Sequence, residues 1–244
     1  MRFPIAVAFV TVATLAACAQ DSNNFTPKTD EEKQFYTLGV LISRNVESFN
    51  FTDEELKMVK AGVGDGASGK PKLEPEEMEK LIPQLQELQG KRVEAAGVKA
   101  KEDGTAYLAK AEKDQGATKL PSGVIVKVTQ EGTGAQPVAS DTVKVHYEGK
   151  LTGGKVFDSS IKRGEPVEFP LAGVIPCWSE GVQQMKVGSK AQLTCPSDLA
   201  YGPQGNPPTI PGNSVLVFDV ELLDIVKAEA AAGAAAAAEA PKAN

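Results

Sequence analysis

The fold is decided by a run at residues 143–150, which reads VKVHYEGK. Apolar residues take alternate positions, at Val143, Val145 and Tyr147, and polar residues lie between them. Because successive side chains of a β-strand point to opposite faces of the sheet, this period of two predicts a half-buried strand. The apolar residues then face a core and the polar ones face solvent.

The same alternation continues across residues 119–227, where glycine and proline separate short apolar runs. Further inward-facing sets are Val167, Phe169 and Leu171; Ala191, Leu193 and Cys195; and Leu216, Phe218, Val220 and Leu222. One helix interrupts the strands, with Pro176 in its first turn and Gly188 after its end. The face of that helix consists of Ile175, Trp178, Val182 and Met185. The pattern predicts an α+β unit, an antiparallel β-sheet wrapped around one short helix.

The pattern of residues 29–118 predicts a helical domain that precedes the sheet along the chain. Capping boxes begin at Thr29 and at Thr52, each with glutamate three positions on. Apolar residues follow at steps of three and four, the period of a helix face. These are Phe35, Leu38, Ile42, Val46 and Phe49, then Leu56, Val59 and Val63. The glycines at positions 62, 64, 66 and 69 are expected to end the second helix.

A third helix is predicted to begin near Pro75. Its apolar face comprises Met78, Leu81, Ile82, Leu85 and Leu88. Pro83 is expected to kink it, and the glycines at positions 90, 97 and 104 weaken its continuation by roughly 1 kcal/mol each. One long helix and two shorter pieces both fit this pattern. The stripes favour a dimerisation module formed with a second copy, and a small monomeric bundle is the alternative.

The first residues read as an export signal. Residues 5–17 are apolar, follow Arg2, and are too few to span a bilayer. They end in Leu-Ala-Ala-Cys at Cys18, which resembles the bacterial lipobox and implies lipidation of that cysteine; a plain signal peptide is the alternative. We therefore assign residues 1–18 to the signal, 19–28 to a tether and 228–244 to an alanine-rich tail. Ala19 after the cysteine favours the outer membrane over retention in the inner one.

Composition excludes several kinds of site. A net charge of −6 argues against a nucleic-acid partner, and the single histidine, His146, excludes a two-histidine metal site. His146 lies on the solvent side of its strand and is interpreted as a surface residue. No metal or cofactor is expected. Cys177 and Cys195 either pair in an oxidising compartment or remain two buried thiols.

The strand domain resembles the FKBP family of peptidyl-prolyl cis–trans isomerases. Five segments carry the resemblance: residues 143–149, 154–160, 174–181, 200–202 and 210–218. The helical part resembles the amino-terminal domain of secreted FKBPs typified by the macrophage infectivity potentiator, which implies a homodimer.

This resemblance implies a pocket for a proline ring. Its catalytic residues would be Tyr147, Phe157, Asp158, Trp178, Tyr201 and Phe218, and its substrate-binding residues Arg163, Val167, Phe169, Val174 and Ile175. Trp178 would form the floor, and the family pattern has the Ile175 N–H and the Tyr201 hydroxyl bonding substrate carbonyls. Asp158 would be the one carboxylate, held by Arg163 and Tyr147.

The implied activity is isomerisation of X–Pro bonds in exported or unfolded polypeptides, in the periplasm or at the outer membrane. A macrolide is a further ligand that the resemblance implies. Two alternatives are a periplasmic chaperone whose isomerase activity is secondary and a host-facing virulence factor. An apolar pocket that removes the imide from water needs no nucleophile, metal or general base.

The lipobox leads to a direct measurement. We expect mass spectrometry of the mature chain to find an acylated amino terminus at Cys18, and the chain to partition with membranes. A Cys18→Ser variant should lose both the added mass and the membrane association. An unmodified terminus beyond Cys18 in the wild-type protein would contradict the anchor.

Overall fold

The structure is a computed structural model and describes residues 25–226. The predicted export signal, Cys18 and the alanine-rich tail lie outside these residues. The chain divides into two compact units between Ser43 and Arg44, and each is described by itself. The observed architecture is mixed, with helices first and an antiparallel sheet after them, which confirms the predicted α+β class.

The helix α1, Asp30–Arg44, belongs to the first unit except for its last residue. Its predicted capping box is present: the Glu32 carboxylate accepts from the Thr29 N–H at 3.0 Å, and the Thr29 hydroxyl accepts from the Glu32 N–H at 3.2 Å. No residue of α1 is buried within the chain. Its apolar stripe is therefore exposed, with Phe35 67% accessible and Leu38 55%.

The second unit begins with a 3₁₀ turn, Glu47–Phe49, and the helix α2, Asp53–Ala67. The capping box that starts at Thr52 is present, as predicted. The expectation that the whole glycine series ends this helix was wrong, because α2 runs through Gly62, Gly64 and Gly66. A glycine inside a helix costs only about 1 kcal/mol, whereas Gly69, at φ +70°, leaves the helical region altogether.

The helix α3 is continuous over Pro75–Ala111, 37 residues, with Pro83 inside it. The two-piece alternative is therefore wrong. Two of its glycines, Gly97 and Gly104, are buried where α3 meets the sheet domain. A Cβ built on Gly104 would lie 2.7 Å from Val215 Cγ2, so the close approach of helix and sheet domain requires glycine there.

Three polar contacts hold the start of this unit together. Arg92 on α3 donates to the Phe49 carbonyl at 2.8 Å and to the Glu55 carboxylate on α2. The hydrogen bond from Arg92, with help from the Thr52 N–H, lowers the pKa of Glu55 to about 2. Lys155 in the sheet domain pairs with Glu47 at 2.6 Å. Together with the glycine contacts, these tie the turn and α3 to the sheet domain.

Seven strands form one antiparallel sheet, in the order β1-β2-β6-β7-β3-β4 with β5 also paired to β3. Their bounds are β1 Ala117–Lys119, β2 Ile125–Gln130, β3 Thr142–Leu151, β4 Val156–Ser159, β5 Val167–Pro170, β6 Lys190–Cys195 and β7 Leu216–Val226. On β3 the alternate positions from Val143 to Gly149 are buried, as the sequence pattern predicted. The longest pairing is that of β3 with β7, which involves ten residues of β3 and shifts its register once, between Lys144 and Val145.

Two short helices accompany the strands: α4, Ser160–Arg163, and α5, Pro176–Val182. The predicted helix corresponds to α5 but ends six residues before Gly188. The sequence reasoning did not find α4. Its signal was present, because Ser159 caps its amino terminus through the Lys162 N–H and Gly164 closes it at φ +83°.

The core lies between one face of the sheet and α5. It contains Val143, Val145, Leu171, Val182, Met185, Leu193, Leu216 and Leu222, all at most 1% accessible. Cys177 of α5 and Cys195 of β6 are joined in a disulfide, with their Cα atoms 5.5 Å apart. Of the two alternatives left by the sequence, the structure has the bonded one. No helix within residues 25–226 is long and apolar enough to cross a membrane.

Candidate active site

Five aromatic side chains meet where β3, β4, β5, β7 and α5 come together. This aromatic cluster consists of Tyr147, Phe157, Phe169, Trp178 and Phe218. Strand register explains the meeting: β3 pairs with β7 on one side and with β4 and β5 on the other. Their inward residues therefore converge on the same face as the buried side of β3.

Trp178 lies at the bottom of the cluster and is only 4% accessible. Its ring meets Tyr147 at 5.3 Å, Phe169 at 5.5 Å and Phe218 at 5.4 Å between centroids, all edge-to-face. Edge-to-face pairs at such separations are favoured, because the positive edge of one ring approaches the negative face of another. Three such contacts fix the indole in one orientation.

The cluster continues to a more exposed end at Phe157. This ring is half-buried and meets Phe218 at 5.6 Å with an interplanar angle of 89°. Four further predicted residues, all half-buried and packed against the core, are Val167, Val174, Ile175 and Tyr201. The cluster is thus an apolar surface with a buried floor and a partly exposed rim.

Asp158 is the one carboxylate among the predicted site residues. It accepts hydrogen bonds from the Tyr147 hydroxyl and from Arg163, which also donates to the Tyr147 oxygen at 3.0 Å. The guanidinium carbon lies 5.7 Å from the centroid of the Tyr147 ring. These three residues form a closed polar triangle beside the aromatic cluster, as the resemblance implied.

Two residues of the triangle, Tyr147 and Arg163, have raised pKa values. Burial, followed by the hydrogen bond to the negatively charged Asp158, raises the pKa of Tyr147 to about 12. The hydrogen bonds to Tyr147 and Asp158 raise the pKa of Arg163 above its usual value. Tyr147 is therefore a neutral donor and Arg163 a cation at neutral pH, so the charge of Asp158 is compensated in place.

Two hydrogen-bond donors at the rim have no protein acceptor among the described residues. Within residues 25–226, neither the Ile175 N–H nor the Tyr201 hydroxyl donates a hydrogen bond to a protein acceptor. Burial and the nearby Asp158 charge raise the pKa of Tyr201, which keeps its hydroxyl protonated. Both groups are only half-buried, so they can donate to carbonyl oxygens of a bound chain.

Two residues that contribute to the site, Ser160 and Gly149, were not identified from the sequence. Ser160, fully buried, accepts from the Tyr147 N–H at 2.8 Å and contacts His146 Nδ1 at 3.1 Å. It fixes the backbone that carries Tyr147, and no sequence pattern distinguishes it from a surface serine. Gly149 lies in register with Asp158 on one side and Phe218 on the other, so the strand passes directly beneath the site.

His146 is half-buried on the polar face of β3, opposite the aromatic cluster, and bonds only Ser160 among the described residues. The described residues also contain no group of three or more histidine, cysteine, aspartate or glutamate side chains that could hold a metal ion.

Comparison with protein families matches residues 134–223 to the FKBP-type peptidyl-prolyl cis–trans isomerase domain. It matches residues 31–128 to the domain amino-terminal to such isomerases. The two matches agree with the two resemblances found in the sequence.

Individual proteins give the same result. The chain is 43% identical to the FKBP-type peptidyl-prolyl cis–trans isomerase FkpA of Aeromonas hydrophila, over 82% of this chain and 78% of that protein. It is 37% identical to the outer membrane protein MIP of Legionella longbeachae, over 87% of this chain and 92% of that protein. The crystal structure of FkpA from Escherichia coli superposes with a TM-score of 0.58 at 37% identity, covering 82% of this chain and 98% of the other.

The raised pKa of Tyr147 leads to a prediction about alkaline stability. The stabilisation that accompanies the neutral phenol is fully present below pH 10 and is lost as pH rises from 10 to about 12. In urea unfolding, the free-energy difference between wild type and Tyr147→Phe should therefore favour wild type at pH 8 and shrink above pH 10. A difference that stays constant from pH 8 to pH 12 would contradict the Tyr147–Asp158 contact.

Proposed function

This chain belongs to the FKBP-type peptidyl-prolyl cis–trans isomerases, and we propose that it acts on X–Pro bonds bound over the aromatic cluster. The observation that carries the proposal is the cluster itself, with Trp178 as its buried floor and one compensated carboxylate beside it. A proline ring is apolar and flat enough to stack on the indole. Phe157 and Phe218 then form a wall next to the ring.

Removal of water explains how such a surface accelerates the reaction. Rotation about X–Pro faces a barrier of ~18–20 kcal/mol, because the twisted state loses amide resonance. The planar imide is the more dipolar form and is better solvated by water than the twisted form. An apolar site therefore disfavours the ground state more than the transition state, which is the condition for catalysis.

The polar groups at the rim orient the substrate in this proposal. The Ile175 N–H and the Tyr201 hydroxyl would donate to carbonyl oxygens of the bound peptide, since neither has a protein acceptor within the described residues. The same two donors would serve a macrolide ligand. Asp158, held by Tyr147 and Arg163, presents little uncompensated charge to the proline. Val167, Val174 and Phe169 complete the apolar surroundings.

The enzyme is favoured over a chaperone with incidental activity. The relatives are named as isomerases, and the described chain holds every side chain that the resemblance assigns to the pocket. Uncatalysed X–Pro isomerisation takes ~10–100 s, slow enough to limit folding. Exported polypeptides, which fold without cytosolic isomerases, are the proposed substrates.

We further propose a homodimer formed by the helices. The described residues of α1 and α2 include none that is buried within the chain, although both helices carry large apolar side chains. On α3 the exposed apolar residues are Met78, Leu81, Ile82, Leu85 and Leu88. Apolar faces of this length are seldom left in water, and a second copy of the chain offers an identical set of them.

The proposed location is the periplasm or the outer membrane, with Cys18 as a lipid anchor. Three observations support it: the lipobox, the Cys177–Cys195 disulfide, which is typical of exported proteins, and the similarity to a protein named for the outer membrane.

A proline-limited refolding assay tests the activity. The wild-type chain should accelerate the slow phase of a substrate protein, and a Phe157→Ala/Asp158→Ala variant should lose at least about tenfold in kcat/KM, because both the wall and its neighbouring carboxylate are gone. Val138→Ala, at an exposed residue outside the cluster, is the matched control and should retain full activity. Failure of the wild type to accelerate the slow phase would exclude the isomerase. If the double variant keeps full activity, the reaction takes place elsewhere.

Sedimentation equilibrium tests the dimer. The wild-type chain should sediment as twice its monomer mass, and Leu81→Glu/Leu85→Glu should sediment as a monomer because charge enters the apolar face of α3. Lys80→Glu, exposed on the same helix but outside that face, should remain dimeric. A monomeric wild type, or a double variant that stays dimeric, would contradict this interface.

A further inference from the structure

Gly149 stands out among the residues around the aromatic cluster, because it contributes no side chain to it. It continues the buried series of β3, two positions after Tyr147, and so its missing Cβ would point toward the same face as the Tyr147 ring. Its neighbours across the sheet are Asp158 on β4 and Phe218 on β7. At this point β3 passes beneath the site without a side chain between its backbone and the aromatic rings.

The rings of two cluster members occupy the space that a side chain would take. A Cβ built on Gly149 would lie 2.6 Å from Phe157 Cζ and 2.7 Å from Phe157 Cε2. It would also lie 2.9 Å from Phe218 Cε1. Separations under 3 Å are shorter than van der Waals contact, so both rings would have to move.

Backbone conformation does not explain this glycine. Gly149 is not among the residues with positive φ, and the shift in the β3–β4 register between Gly149 and Lys150 places the extra residue, Phe157, on β4. Alanine could adopt the same backbone without strain. Only the volume above the strand distinguishes the two residues at this position.

We propose that Gly149 is a positioning residue. It leaves room for the Phe157 ring to pack against β3, and this keeps the Phe157–Phe218 end of the substrate site open. Because Gly149 has a hydrogen where alanine has a methyl group, the Phe157 ring packs directly against β3 and meets Phe218 edge-to-face. A methyl group beneath it pushes the ring away from the strand and into the space for the proline. This inference rests on the proposed function of the aromatic cluster.

The test compares Gly149→Ala with Gly153→Ala in the full chain, using a proline-containing peptide. Gly149→Ala should lower kcat/KM about tenfold, equivalent to about 1.4 kcal/mol of transition-state stabilisation. Gly153, in the turn after β3, has nothing within 4 Å of a built Cβ, and its alanine variant should retain wild-type activity. An active Gly149→Ala enzyme, with kcat/KM equal to that of Gly153→Ala, would overturn the proposal.

The same substitution made in a Phe157→Leu variant shows whether the loss of activity in Gly149→Ala depends on the Phe157 ring. Phe157→Leu should itself lower kcat/KM, and adding Gly149→Ala to it should cost less than about twofold, because the shorter side chain leaves room for the methyl. An equal cost in both backgrounds would overturn the positioning role. If Phe157→Leu has wild-type activity, the proposed site itself fails, which is a different outcome.

A spectroscopic measurement covers the case in which Gly149→Ala does not fold. The Hα resonances of Gly149 in the wild-type protein should be displaced by the ring current of Phe157, and Phe157→Leu should return them toward ordinary glycine values. Resonances that are the same in both proteins would overturn the proposal without any alanine variant.

Discussion

The antiparallel pairing of β3 with β7 is the constraint on which the rest of the sheet domain depends. Ten residues of β3 find partners on β7, and β3 also pairs with β4 and β5 on its other side. Since side chains alternate along a strand, a slip of one residue between β3 and β7 would put Tyr147 and Phe218 on opposite faces of the sheet, and only one of them could then meet Trp178. Register therefore decides at once where the core lies and whether the aromatic cluster exists.

Much of this arrangement could be read from the sequence, for physical reasons. The alternation around Val145 identifies a strand because burial on one face demands it, and the capping boxes at Thr29 and Thr52 identify helix starts because free N–H groups need acceptors. Residues distant in the chain, such as Asp158 and Trp178, were assigned to one site only through resemblance to a family. Local patterns contain no information about which strands become neighbours.

The features that escaped prediction have a common origin. Gly104 and Gly149 appear to local reasoning as weak points of a helix and a strand, yet each lies where another group approaches the backbone, Val215 in one case and Phe157 in the other. The sequence leaves the length of α3 open, and the buried residues of this helix, Gly97, Gly104 and Ala111, all lie in its second half. The structural role of such a glycine can be recognised only when the residues that surround it in space are known.

The disulfide has a consequence for the biosynthesis of the enzyme. Cys177 directly precedes Trp178, and Cys195 ends the strand that leads to the Tyr201 loop, so the bond links the floor of the site to the segment that carries a rim residue. Reducing cytosol disfavours such a bond, and an oxidising compartment allows it. Under the proposed export, the chain would therefore form this bond only after leaving the compartment in which it is synthesised.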